Sequence, residues 1–246
     1  MFSSTNITQL ILSAFAVLIA LSLHEAAHAF VAYKLGDPTA KYMGRLTINP
    51  IKHIDPMGAL FMILFHFGWA KPVPIDPRFF KSPKRDFAIS ALAGPLCNII
   101  VGFFGAFIYL LAYKFLPSTD LYALNNLFAY IQLFLFLFCT VNIGLGIFNL
   151  IPAPPFDGSR ILFALLPNKW YFKVMKYERI IYWCVIGWLF LGTFFYAGLM
   201  SVPFIANNPI LSGIAKIFAL SDLISDAIYS MLNLIFKFWQ MIPFLK

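Results

Sequence analysis

A long apolar run near the beginning of the sequence constrains the fold more than any other feature. It extends from about Ile7 to Leu35, and it is closed by Gly36-Asp37-Pro38, residues that commonly end helices. A helix of this length exceeds the roughly twenty residues that cross a bilayer. His24, Glu25 and His28 lie within the run, although ionisable side chains inside a membrane helix are costly. The run therefore predicts a membrane-spanning helix that carries a functional site.

The composition of the whole chain leads to the same fold class. The 246 residues are 61% hydrophobic and only 11% charged, whereas a soluble domain usually contains about 25% charged residues. The net charge of +8 does not indicate a nucleic-acid partner, because no basic stripe alternates with exposed aromatic residues. We predict an all-α polytopic membrane protein with about four to six transmembrane helices. It is expected to form a single domain over residues 1–246.

His24 and His28 have the spacing of a metal site. Residues four apart lie on one face of a helix, so both imidazoles point the same way. Two such nitrogen ligands can hold one zinc ion, with Glu25 beside the open coordination position. The alternative is a pair of histidines satisfied within helix packing. The cost of placing them in an apolar membrane helix disfavours that alternative.

Three further spans are predicted from apolar length, over Phe87–Phe115, Leu121–Ile151 and Ile180–Met200. The tail from Ile210 to Lys246 differs, because a polar stripe interrupts its apolar residues. That stripe consists of Ser221, Asp222, Ser225 and Asp226. We interpret the tail as an amphipathic helix at the membrane interface rather than a span.

The region between the first two spans is predicted to contain a small re-entrant β-hairpin. Lys41–Ile51 and Trp69–Ile75 contain strand-forming residues bounded by Gly, Pro and Asn. Gly58–Trp69 is apolar but too short to cross the bilayer. Such backbone survives at membrane depth only when it is buried in protein or lines a wet cavity, so we expect it beside the site. His53 and His66 are interpreted as a hydrogen-bonding and an interfacial residue rather than ligands.

The third span ends in a proline run that leads to a carboxylate. Three prolines between Ile151 and Phe156 cannot continue a regular helix, so we expect an extended tail with Asp157 at its tip. An Asp that precedes Gly158 is commonly a turn residue. Because the two-histidine helix lacks a third ligand, metal binding by Asp157 is the favoured interpretation.

Asparagines also lie inside the predicted spans. Asn142 and Asn149 are seven residues apart and share a helix face. Asn149 could donate a hydrogen bond to a developing oxyanion, or it could bond to a neighbouring helix. Asn98, with Gly94 and Pro95, is interpreted as a packing and kink feature before a catalytic one.

Basic residues are concentrated on one side of the predicted spans. Lys34–Arg85 contains nine basic residues and three Asp, Arg160–Arg179 contains five more basic residues, and the opposite side has only Lys114. Loops rich in positive charge stay cytoplasmic. The N-terminus is therefore expected outside. The first and third spans then bring the histidine pair and the carboxylate to the same cytoplasmic-side depth.

Taken together, these motifs resemble the site-2 protease family of intramembrane zinc metalloproteases. The resemblance covers about residues 20–165 and rests on His24–His28, Gly36–Ala40, Gly44–Pro50 with His53 and Asp55-Pro56, Ala70–Pro74, Ala93–Pro95 with Asn98, and Phe148–Gly158. We expect a minimal form, without the PDZ insertion, the CBS pair or the preceding span of larger members. The catalytic core is expected at about 7–165, with C-terminal helices at 178–246.

The resemblance implies a role for each site residue. His24, His28 and Asp157 would be the ligands of one catalytic zinc ion. Glu25 would be the catalytic base, and Asn149 would assist near the scissile carbonyl.

A substrate in helical form hides its peptide carbonyls and must unwind before cleavage. The resemblance implies that the Gly44–Asn49 region forms the hairpin that meets the substrate. We expect Arg45, Thr47 and Asn49 at an exposed edge to bind the substrate in extended form by strand addition.

The function predicted from the sequence is an intramembrane zinc endopeptidase of a prokaryotic plasma membrane. It would hydrolyse transmembrane segments of protein or peptide substrates near the cytoplasmic face, with the lipid bilayer as its other partner; homo-oligomerisation stays open. The first alternative is a membrane protein that binds or transports divalent cations without peptidase activity. The second is an inactive scaffold that binds membrane partners.

Overall fold

The computed structural model describes residues 7–58, 70–116, 122–216 and 220–245. Its helices are, in chain order, α1 (Ile7–Lys34), α2 (Thr39–Tyr42), α3 (Pro50–His53), α4 (Pro83–Phe115), α5 (Tyr122–Asn149), α6 (Asp157–Leu165), α7 (Asn168–Met200), α8 (Pro203–Ala206), α9 (Pro209–Ala215) and α10 (Leu220–Gln240). Two 3₁₀ turns cover Pro77–Phe79 and Pro243–Leu245. The described part of the chain is therefore helical, which confirms the predicted all-α class.

Three helices, α1, α4 and α5, are long and apolar enough to cross a membrane. They correspond to the first three predicted spans, and they pack against one another in every pairing. The fourth predicted span lies within α7, which bends by 45° between Asn168–Leu189 and Phe194–Met200. If this bent helix is one span, the described residues contain four spans, the lower end of the predicted number.

The end of α1 is determined by Gly36. Its φ of +111° lies in a region that favours glycine. The N–H of Asp37 donates to the Ala32 carbonyl at 2.9 Å, and that of Gly36 donates to the Tyr33 carbonyl at 3.1 Å, which is a Schellman ending. The buried Asp37 carboxylate then accepts the Asp76 N–H at 2.7 Å. The end of α1 is thereby joined to the chain that returns towards α4.

The tail predicted as an amphipathic helix is helical in α10. It does not meet the criteria for a span, and its apolar face has a protein partner. Leu232 and Ile235 are buried in a cluster with Ala106 of α4 and Ile143 of α5. The Trp239 indole N–H donates to the Phe103 carbonyl of α4 at 2.9 Å. Because these residues repeat at helical spacing, one side of α10 is attached along the bundle.

The predicted re-entrant β-hairpin is wrong. Between α1 and α4 the described residues contain no strand, and Ile54 and Ala70 form a single isolated antiparallel bridge. Lys41–Ile51 instead contributes to α2, a turn and the start of α3. One of its carbonyl groups is bonded locally: the Thr47 carbonyl oxygen lies 2.7 Å from His53 Nε2.

The second predicted strand fails for a different reason. Pro72 and Pro74 lack N–H groups, so Trp69–Ile75 cannot donate a regular ladder of hydrogen bonds. Its backbone bonds are made to separate partners, one of which is Glu25 of α1. Residues 59–69, with His66 and most of the short apolar segment, lie outside the described residues.

The proline run after α5 is compact rather than extended. The Ala153 N–H donates to the Ile151 carbonyl at 2.8 Å, and the Phe156 N–H donates to the Ala153 carbonyl at 3.0 Å. These two turns bring the chain back at once, and Asp157 opens α6. Asp157 is therefore the first residue of a helix rather than the tip of a tail.

Candidate metal centre and active site

Two imidazoles and one carboxylate converge on one point beside α1. The Nε2 atoms of His24 and His28 lie 3.0 Å apart. Asp157 Oδ2 is 3.1 Å from His24 Nε2 and 3.2 Å from His28 Nε2. Both histidines are buried. Residues 133 positions apart in the chain are thus combined in a group that could hold a metal ion.

The outer nitrogen of each imidazole faces a hydrogen-bond acceptor. His24 Nδ1 lies 2.5 Å from Asn98 Oδ1, and His28 Nδ1 lies 2.7 Å from the Ser90 carbonyl oxygen. The amide of Asn98 is oriented independently, because its Nδ2 donates to the Ala20 carbonyl at 3.1 Å and to Asn142 Oδ1 at 2.8 Å. When a metal ion is bound at the centre, each Nδ1 would carry the ring proton for its acceptor and each Nε2 would present its lone pair to the ion.

This arrangement fits a zinc ion. The two Nε2 atoms and the carboxylate oxygen lie 3.0–3.2 Å apart, so a cation between them would contact all three at once. In a tetrahedral zinc site with bonds of about 2.0–2.1 Å, neighbouring ligand atoms are about 3.3 Å apart. A set of three protein ligands leaves a fourth position open, as catalytic zinc sites require.

Gly94 of α4 makes room for the histidine pair. A Cβ atom at this position would lie 2.6 Å from His28 Cε1 and 2.7 Å from His24 Cε1, closer than van der Waals contact permits. Glycine at this point of α4 lets the backbone approach the rings directly. Gly94 is therefore a packing residue, as predicted, and the helix contact that it permits is the one with the histidine pair.

Asp157 is ionised in this environment. Burial alone would raise the pKa of its carboxyl group, but the neighbouring imidazoles of His28 and His24 hold that pKa below its usual range. A carboxylate that stays charged is a suitable third ligand for a divalent cation.

Glu25 accepts a hydrogen bond from the returning chain. Its Oε2 accepts the Val73 N–H at 2.8 Å, and its side chain is half-buried. The carboxylate is thus held beside the metal centre by a main-chain donor. The sequence analysis included Val73 in the Ala70–Pro74 motif but did not predict that its N–H contacts Glu25.

The asparagines of α5 have different partners. Asn142 is fully buried and accepts from Asn98 of α4, while its Nδ2 donates to the Phe138 carbonyl of its own helix at 2.9 Å. Asn149, at the end of α5, donates from Nδ2 to the Leu145 carbonyl at 3.0 Å. The helix–helix hydrogen bond considered for Asn149 is therefore made by Asn142.

The predicted substrate-binding residues lie in the chain between α2 and α3. Arg45 is 6% exposed, and its Nη2 donates to the Lys71 carbonyl at 2.5 Å. Thr47 is half-buried, and Asn49 is exposed as the N-cap of α3. None of the three contacts the metal-ligand triad within the described residues; Arg45 is connected to Glu25 through Lys71–Val73.

Comparison with known proteins identifies the family. Residues 12–192 match the model of peptidase family M50. This range covers more than half of the 246 residues. It begins in α1 and ends in α7. No solved structure matches the chain significantly.

Similar proteins carry names of the same kind. The chain is 42% identical to YwhC of Bacillus subtilis (strain 168) over 154 residues, 61% of this chain and 67% of YwhC. It is 29% identical to Rip2 of Mycobacterium tuberculosis over 187 residues, 70% of this chain and 68% of Rip2. The names of both assign them provisionally to the zinc metalloproteases.

A third relative comes from an archaeon. The chain is 30% identical to the zinc metalloprotease MJ0392 of Methanocaldococcus jannaschii over 160 residues, which are 64% of this chain and 35% of that protein. The family match, these relatives and the His-His-Asp group lead to one conclusion. The chain belongs to peptidase family M50, the site-2 proteases, and is a multi-pass membrane zinc metalloprotease.

Proposed function

We propose that this protein is an intramembrane endopeptidase that uses one zinc ion to hydrolyse peptide bonds in transmembrane segments near the cytoplasmic face. The observation that carries the proposal is the convergence of His24, His28 and Asp157 among three helices that are apolar enough to span a membrane. A ligand triad enclosed by such helices supports cleavage of substrates that are themselves in the membrane.

The chemistry requires a base beside the metal centre. Zinc, when bound by the triad, lowers the pKa of a coordinated water to about 7 and polarises a carbonyl. Glu25 accepts a proton from the attacking water and later passes it to the leaving amine. The Val73 N–H occupies Oε2, so Oε1 is the oxygen available for the proton.

Polar groups at two places are proposed to bind the substrate. Asn149 uses one N–H of its amide for the Leu145 carbonyl and has a second N–H for a developing oxyanion, worth about 3 kcal/mol if it is well aimed. Thr47 Oγ1 accepts the Asn49 N–H at 3.2 Å. The hydroxyl hydrogen of Thr47 and the amide of Asn49 can then donate to an unwound substrate, while Arg45 contributes through the segment it holds.

The charge distribution supports a cytoplasmic-side site in a plasma membrane. Lys34 closes α1, and Lys84 and Arg85 lie at the start of α4. This end of the bundle also carries the metal-ligand triad. Because positively charged segments remain on the cytoplasmic side, the active site is expected to open towards the cytoplasm.

The test is cleavage of a single-span peptide by purified protein in liposomes. Glu25→Gln preserves side-chain shape and an acceptor for the Val73 N–H, so it is expected to retain zinc. Loss of the general base is expected to lower the cleavage rate by about 10²- to 10⁴-fold. Asp226→Asn removes one exposed carboxylate of α10 and is the matched control, with a rate close to that of the unaltered protein.

Three results would contradict the proposal. Unchanged cleavage by the Glu25→Gln variant would remove the base from the mechanism. Equal cleavage of soluble casein and the membrane peptide would remove the intramembrane specificity. Zinc flux into the liposomes that survives Glu25→Gln, without peptide cleavage, would indicate a cation carrier.

A further inference from the structure

The chain between α3 and α4 is fastened at three points, one to residues around α3, one to α1 and one just beyond the end of α1. At Lys71, the N–H donates to the His53 carbonyl at 2.9 Å and the carbonyl accepts from Arg45. At Val73, the N–H donates to Glu25. At Asp76, the N–H donates to Asp37 just beyond α1. We call residues 71–76 the strap.

The sequence of the strap leaves one main-chain donor at its centre. Pro72 and Pro74 have no N–H, so Val73 is the only donor among these three residues. A proline also restricts the residue before it to extended backbone, which applies to Lys71 and Val73. The centre of the strap is therefore stiff, and its single N–H is directed at the carboxylate of Glu25.

Arg45 holds the near end of the strap. It is a buried cation whose contacts in the described residues are the Lys71 carbonyl and His53 Nδ1, the latter at 3.4 Å. Its Nε has no partner there. An arginine is costly to bury, and its contacts in the described residues include no carboxylate. Fixing the Lys71 carbonyl is the role that these contacts assign to it.

We propose that the Val73 N–H is a positioning group for Glu25, and that Arg45 is a positioning residue that acts through the strap. This inference rests on the proposed protease function. With Oε2 held at 2.8 Å, rotation of the Glu25 carboxyl group is restricted and Oε1 has a defined direction. Enzymes require such groups to be held close to their productive geometry, because a misplacement of about 1 Å can cost about 100-fold in rate.

The same contact has an opposite interpretation, in which the strap shields Glu25 from water. The two interpretations predict effects of opposite sign. If Val73 positions the base, removal of its N–H lowers the rate. If the strap shields the base, removal of the N–H raises the rate.

Val73→Pro tests the sign directly, because it deletes the N–H while proline fits extended backbone. We expect kcat for the membrane peptide to fall by about 10- to 100-fold, with KM, zinc content and Tm unchanged. Val73→Ala keeps the N–H and removes the isopropyl group, so its kcat is expected to exceed that of Val73→Pro by at least about tenfold. Ile75→Pro adds a proline to the strap without removing the donor to Glu25, and is expected to retain the unaltered kcat.

Arg45 is tested by a double-mutant comparison. Arg45→Met is expected to lower kcat in the same way, and Arg45→Lys, which retains a donor for the Lys71 carbonyl, is expected to recover most of it. Because both groups act on one contact, Arg45→Met combined with Val73→Pro is expected to be no slower than Val73→Pro alone. Additive losses would show that Arg45 acts elsewhere.

Failure of this inference differs from failure of the proposed function. If the unaltered protein cleaves the peptide, Glu25→Gln does not, and Val73→Pro is as active as Ile75→Pro or more active, the positioning role is refuted while the protease function stands. A loss of zinc or a change confined to KM in Val73→Pro would also overturn it. If the unaltered protein cleaves no membrane peptide, the protease function itself fails.

Discussion

Replacing Asn98 by leucine is expected to weaken zinc binding by about 10- to 100-fold, the usual effect of losing the hydrogen-bond partner of a metal-bound histidine. Asn98 is fully buried, and its Oδ1 lies 2.5 Å from His24 Nδ1. Leucine has the same branching and the same number of side-chain heavy atoms, so no cavity is left and the main change is the lost acceptor. The imidazole of His24 is then free to rotate or to change tautomer. The expected loss corresponds to about 1.4–2.7 kcal/mol of zinc-binding free energy.

Asn142→Leu separates orientation of the imidazole from general stability. Asn142 makes no contact with His24; its Oδ1 accepts from Asn98 Nδ2 at 2.8 Å. Either substitution leaves a buried polar group unpaired, which costs about 1–3 kcal/mol of folding free energy. We therefore expect similar falls in Tm for the two variants. The loss of zinc affinity should be smaller for Asn142→Leu, since the Ala20 carbonyl still orients Asn98.

The measurement is competition for zinc between the purified protein and a chelator of known affinity, with Tm recorded in parallel. Gln132→Leu is the matched control, because Gln132 also joins α5 to α4, through a 3.4 Å bond to the Ala112 carbonyl away from the site. It should leave zinc affinity unchanged. Equal zinc loss in Asn98→Leu and Asn142→Leu would show that affinity follows stability, and unaltered affinity in Asn98→Leu would refute the orienting role.

Three further perturbations test the zinc site and the attachment of α10. Gly94→Ala places a methyl group 2.6 Å from His28 Cε1 and 2.7 Å from His24 Cε1, so the purified variant should contain little zinc by elemental analysis and show no cleavage. Removal of zinc by chelation should lower Tm, because a ligand at about 1,000 times its Kd contributes about 4 kcal/mol to folding, and added zinc should restore it. Trp239→Phe removes the donor to the Phe103 carbonyl and should cost about 1 kcal/mol of unfolding free energy, with zinc content unchanged.

The spans could be predicted from the sequence because length and apolarity are local properties. The helices α1, α4 and α5 were expected from uninterrupted apolar runs, and they meet the same criteria in the structure. The end of α1 was also predicted, because glycine favours the positive φ that ends a helix and Gly36 adopts it. The hairpin could not be predicted correctly, because residue types that favour strands do not reveal whether a partner strand exists.

The proximity of the candidate metal ligands could be predicted because the chemistry of a metal site restricts its ligands. Two histidines four residues apart face one direction on any helix, and an incomplete ligand set implies a further carboxylate. The loop charges placed Asp157 on the same side of the membrane, and the structure brings it to 3.1 Å from His24. What the sequence could not predict was the route, since the proline run folds into turns and Asp157 opens α6.

Asn98, Asn142 and Asn149 show why the supporting residues were harder to assign. An amide in an apolar helix must find a partner, because an unpaired one is costly; this much follows from the sequence. Asn98 finds His24 and Asn142, whereas Asn149 finds a carbonyl of its own helix. The residue type is the same in each case, so the difference lies in how closely the helices approach one another. That approach depends on small residues such as Gly94 where α4 meets α1. A polar residue in a span can thus be predicted to have a partner, but helix packing decides which partner it finds. In this protein the packing decides which asparagine contacts His24.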